Sequence, residues 1–221
     1  MPRADPPGGS GSSRISVIRV PALDDSSVCG NLAEVIGYLL GEACYEREEL
    51  PPFAAHYGDL WTYVGEWSNG GHSQFEGNTG DDFDAWRRAS ELLGEIGLTR
   101  YREILDDFIA FVAANKDYID DLYQDGEEIT AVRLFSTYDD RFHDAERDGP
   151  GIESAVRDWL MRQSWLSVEM SNPPFMNWLR QTYPPHPLAK TREAARLRRR
   201  VAENHGVNLA FLRRLREMLR R

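Results

Sequence analysis

Apolar residues recur along most of this chain at steps of three and four, and that spacing restricts what the chain can build. Such a stripe lies on one face of an α-helix. Val28, Leu32, Val35, Ile36, Leu39, Leu40 and Ala43 form one stripe, with Ser26 or Ser27 placed to cap it. Pro51-Pro52 ends any continuation and suits the first turn of a new helix. Along that helix Phe53, Tyr57, Leu60, Trp61, Val64 and Trp67 align, until Asn69-Gly70-Gly71 stops it. A third stripe runs from Phe83 through Trp86, Ala89 and Leu93 to Ile96, ended by Gly97. The fourth starts at Thr99, carries Tyr101, Ile104, Leu105, Phe108, Ile109, Val112, Tyr118, Ile119 and Leu122, and stops near Gly126. Residues 127–146 present Ile129, Val132, Phe135, Tyr138 and Phe142, and residues 152–170 present Ile152, Val156, Trp159 and Leu160. Only "RISVIRV" (14–20) alternates as a strand does, and a lone strand has nothing to pair with. The pattern predicts an all-α fold: a single compact multi-helix domain with a C-terminal basic helical hairpin.

Three segments are expected. Residues 1–13, rich in Pro, Gly and Ser, read as a flexible tail with no apolar run of a secretory signal. Residues 14–186 form an acidic helical domain, and 187–221 a basic helical extension with helices near 188–204 and 207–220. No run of apolar residues is long enough to span a membrane. With only Cys29 and Cys44 and no export signal, reduced thiols and a cytoplasmic location are expected. Up to His186 there are 33 acidic and 15 basic residues; beyond it, 3 acidic and 11 basic. An acidic body disfavours direct nucleic-acid binding and favours basic partners. The tail has two readings. Its arginines, among them Arg196, Arg198, Arg199, Arg213, Arg214 and Arg216, suit phosphates. Alternatively, Leu197 and Val201 with Leu212, Leu215 and Leu219 make apolar stripes that dock the hairpin on the body, where the arginines would cap part of the acidity and inhibit partner capture.

The five histidines are scattered without ligand spacing, so no metal and no cofactor are expected. No nucleophile motif surrounds a Ser or Cys. "NGGHSQFEGNTG" (69–80) lacks the Lys-Ser/Thr ending of a phosphate loop, and Asp81, Asp82 and Asp84 behind it repel phosphate while complementing the next helix dipole. The reading from the residues is architectural. Glycines allow positive φ, Asn and Gln side chains hold loop backbone, and Phe75 pins the corner into the core. An enzyme with a polar pocket at His72, Gln74 and Asn78 is the competing reading.

Asn69, Gly70, Gly71, Gln74, Phe75, Asn78 and Gly80 resemble the N-G-G-x-x-Q-[FY]-x-x-N-x-x-G signature of the bacterial DNA-mimic protein nineteen family, with the last glycine one residue early. "ASELLGEIGLTRYREILDDFIAFV" is similar to that family's helix pair around an Ile-Gly turn, and "YDDRF" (138–142) to its D-x-x-F segment. The resemblance spans roughly residues 26–170. It implies a non-enzymatic binding protein that mimics the charge surface of duplex DNA and blocks a basic DNA-binding protein, a transcription factor or nuclease, by competition. The residues make part of that case themselves. Glu103, Asp106, Asp107, Asp117, Asp120, Asp121 and Asp125 mostly lie opposite the apolar stripe of the fourth helix, and Asp139, Asp140 and Asp144 extend the acidity. Ordinary solvated faces mix signs; like charges at these spacings repel. An immunity-type inhibitor of a basic nuclease toxin would use the same electrostatics. A homodimer is compatible with the sequence.

Overall fold

The computed structural model describes residues 14–80, 82–199 and 201. The 1–13 tail and the second basic helix expected at 207–220 lie outside the described residues. Strand β1 (Ile18–Ala22) leads into α1 (Ser27–Leu40), and a short 3-10 turn at Arg47–Glu49 precedes α2 (Ala54–Thr79). Then follow α3 (Phe83–Ile96), α4 (Thr99–Gln124), α5 (Glu128–Asp148), α6 (Ile152–Leu160), strand β2 (Leu166–Met170) and α7 (Phe175–Thr182). Residues 189–199 form a further helical segment.

Helices α2 to α5 pack in a ring, α2 on α3, α3 on α4, α4 on α5 and α5 back on α2. Their inward stripes meet in an aromatic core of Tyr63, Phe75, Trp86, Phe108, Phe135 and Phe142, each at most 1% exposed. Burial of such rings supplies the main drive for folding, and their edge-to-face contacts add about 0.5–1.5 kcal/mol per pair. Cys29 belongs to the α1 core, and burial pushes its thiol above the ordinary value, opposite to a reactive cysteine. At the start of α3 the Asp82 carboxylate accepts the Ala85 N–H, the capping expected of an acid there.

The fold departs from the all-α expectation in one place. The sixth helix ends at Leu160, and residues 166–170 pair in parallel with β1, Ile18 opposite Leu166 and Ala22 opposite Met170. Leu166, Val168 and Met170 alternate with Ser167 and Glu169, which is the period of a strand. Thus the lone strand of the sequence has its partner, and it lies at 18–22 rather than 14–20. A second correction concerns α5, whose supposed apolar positions Ile129 and Val132 are 72% and 47% exposed; its inward face begins at Phe135.

The segment from Tyr183 onward clasps β1 and α1. The Tyr183 hydroxyl accepts from Arg19 N–H and donates to Arg19 C=O on β1, while the Tyr38 hydroxyl donates to Tyr183 C=O. Farther on, Arg192 makes a double bond-pair with Glu49 at 2.6 and 2.9 Å and donates to Cys44 C=O. Arg196 donates to the Leu40 and Gly41 carbonyls at the C-terminal end of α1, where cations are favoured. Leu197 and Val201 point outward, 63% and 48% exposed. The described part of the basic extension is therefore held through arginines on α1 and residues 44–49, not through its apolar stripe and not over α4 and α5.

Candidate functional site

The segment 69–80 is not a loop between helices. α2 runs through it with a kink at Gly70 and Gly71, then resumes from His72 to Thr79. Gly71 holds φ +74° and ψ −167°, a region that side chains exclude. A Cβ there would also sit 2.8 Å from both carboxylate oxygens of Asp139. That closeness has a purpose. Asp139 Oδ1 accepts the His72 backbone N–H at 2.8 Å, serving as the cap of the restarted helix from a distant element. The same oxygen lies 2.7 Å from His72 Nδ1, and His72 Nε2 lies 3.1 Å from the Tyr63 hydroxyl. This network assigns the proton to Nδ1 and makes Nε2 the acceptor from Tyr63. Burial pushes the ring below its ordinary value, an effect that Asp139 offsets only in part. Burial alone would raise Asp139, but its bonds to the His72 ring and backbone hold its carboxyl below the ordinary value.

The motif's other members divide between core and surface. Phe75 packs edge-on to Tyr63 at 4.8 Å and against Trp86 at 4.9 Å. Gln74 and Asn78 both donate to Glu66 Oε2, at 2.8 and 2.7 Å, and hold that carboxyl below its ordinary value. They bridge the kink by binding a side chain, where the sequence suggested backbone. Gly80 ends the helix at φ +58°. His72 is buried while Gln74 and Asn78 lie over Glu66, so the three do not converge on a cleft, and the pocket envisaged for an enzyme does not form from them. Among the described residues no group of three or more His, Cys, Asp or Glu could hold a metal ion.

The segment "YDDRF" meets the kink directly. Asp139 caps it, and Phe142 stacks on Trp67 at 3.6 Å and packs edge-on to Tyr63. Two of the three stretches that carry the family resemblance are thus one structural joint between α2 and α5. Sequence reasoning placed Asp139 on the acidic face; only its position in the D-x-x-F segment hinted otherwise. Glu66, on which Gln74 and Asn78 converge, carried no signal at all.

The remaining acids fall into two groups. Asp106 is taken by Ser90 and Arg102, Asp107 by Arg141 of α5 at 2.7 Å, Asp120 by Lys116, and Asp144 by Arg147 at 2.7 Å. Glu103, Asp117, Asp121, Asp125 and Asp140 are exposed and have no ion pair among the described residues. Asp117, Asp121 and Asp125 follow at four-residue steps, about 6 Å apart along the axis. They lie beyond Asn115, where α4 leaves helical geometry and the Asn115 side chain donates to Phe111 C=O. The structure brings these three together on one end of α4, with Glu103 near the other end of the same helix and Asp140 on α5.

No helix among the described residues is long and apolar enough to cross a membrane. No curated protein and no solved structure gives a significant match to the chain. The family model described as DMP19-like protein matches residues 48–163, from the 3-10 turn to just beyond α6 and over half of the chain.

Proposed function

The chain belongs to the DMP19-like protein family, and from that premise we propose that it binds a basic DNA-binding protein by presenting carboxylates of α4 and α5 in place of DNA phosphates. The observation that carries this reading is the row Asp117, Asp121 and Asp125, exposed, like-charged and without cationic partners among the described residues. Duplex DNA carries a phosphate every ~3.4 Å along each strand, so carboxylates at about 6 Å offer a sparser track of the same sign. Glu103 and Asp140 add charge on the same two helices. Paired acids contribute less, because their fields are cancelled by the neighbouring cation. No chemical step is involved; occupancy of the partner's phosphate-binding face is the whole mechanism. Complementary potential speeds encounter and makes affinity fall with salt.

The test is capture from bacterial lysate on immobilised full-length protein, followed by elution with excess duplex DNA. Release of one or a few DNA-binding proteins is expected, with capture lost in the Asp117→Asn, Asp121→Asn, Asp125→Asn variant and kept in Asp144→Asn. Capture of a single basic nuclease would favour the immunity-type reading. Capture unaffected by the triple substitution would sink the assignment of the face.

A further inference from the structure

The two edges of the small parallel sheet are treated differently. On β1 the outward groups belong to Arg19 and Pro21, because Ile18 N–H donates to Trp165 C=O and Ala22 C=O accepts from Ser171 N–H. Arg19 N–H and C=O are both taken by the Tyr183 hydroxyl. Pro21 has no N–H, and its C=O accepts from Asn31 Nδ2 at 2.7 Å. That edge is closed by three separate side chains.

On β2 the same register turns Leu166, Val168 and Met170 outward. Leu166 N–H donates to Gln163 C=O, but the N–H and C=O of Val168 have no partner among the described residues. The side chains tell the same story. Ile18, Val20 and Ala22 are at most 1% exposed, whereas their register partners Leu166 and Val168 are half-buried and Met170 is 64% exposed. The apolar row runs off the open edge. Val17 and Leu23, at the two ends of β1, are also exposed, 44% and 64%.

We propose that the β2 edge receives an extended segment of a partner protein with alternating apolar and basic residues. Its backbone bonds Val168, as added strands do. Its apolar side chains continue the row of Leu166, Val168 and Met170. Its basic side chains fall beside Ser167 and Glu169, on the face where Arg19 already pairs with Glu169, and are drawn by a body carrying 33 acidic against 15 basic residues up to His186. This surface is separate from the α4–α5 face, so either stands without the other.

The test uses the full chain and a fluorescein-labelled octapeptide of alternating Lys and Val, read by anisotropy. The block peptide with four Lys followed by four Val should bind at least tenfold more weakly. Val168→Pro removes the outward N–H, a loss edge strands tolerate, together with part of the apolar row, and should weaken binding at least tenfold in a chain that still unfolds cooperatively. As a second measurement on the wild-type chain, the alternating peptide is N-methylated at every Val or at every Lys. Only one version should lose binding, because only one set of amides faces β2. Equal binding of the block peptide, equal loss or equal retention for both methylated versions, or no binding by the wild type overturns the proposal. Self-association of the free chain that Val168→Pro abolishes also overturns it, by giving the edge to a second copy.

Discussion

At the scale of single residues the joint between α2 and α5 rests on Gly71 and His72. Gly71→Ala combines a forbidden backbone region with a carboxylate 2.8 Å from the new methyl, and should cost about 2–4 kcal/mol. Gly77 is the control: a helical position with nothing within 4 Å of an added Cβ, where alanine should stabilise by about 0.5–1 kcal/mol. Urea denaturation of both variants checks the pair. His72 makes a pH prediction. Its ring is lowered in the folded chain from an ordinary 6.5, so the unfolded state binds the proton more readily. The stability it contributes is full above 6.5 and is lost as pH falls through the lower folded value. Thermal midpoints should decline as pH drops below 6.5, and His72→Gln should remove that part of the decline.

At the scale of elements the helices were legible because a 3.6-residue stripe is written locally, in neighbours along the chain. Partners across space were not. Leu166, Val168 and Met170 carry the two-residue period, but they follow α6 closely and read as its continuation unless the pairing with β1 is known. The kink in α2 was hidden for a similar reason. Asn-Gly-Gly signals an end, and only the distant Asp139 cap lets the helix resume at His72. Tyr183→Phe strips Arg19 on β1 of both its hydroxyl bonds and should cost about 1–2 kcal/mol by thermal denaturation. The segment 189–199 is held by Glu49, whose carboxyl the Arg192 guanidinium lowers to about 2 from an ordinary 4.5. Its contribution is therefore complete above 4.5 and lost as pH falls towards 2. A spin label on Leu197→Cys should become mobile across that window, and at neutral pH in the Arg192→Ala background.

At the scale of the whole molecule, stability and the proposed activity should oppose each other. Asp117, Asp121 and Asp125 repel at four-residue spacing, and the last two sit at the negative end of α4. The triple Asn variant should gain about 0.5–1 kcal/mol in denaturation while losing partner capture; loss of both would show a structural role instead. The clasp between β1 and Tyr183 carries a consequence in time. Ile18 pairs with Leu166, and Arg19 waits for Tyr183, 164 positions later. At ribosomal rates that interval is on the order of 10 s. Until then β1 lacks its strand partner, and its outward side is defended only by Pro21 and Asn31. A chain cut short before residue 166 lacks both β2 and Tyr183, so β1 is left without its strand partner and open to proteases and chaperones.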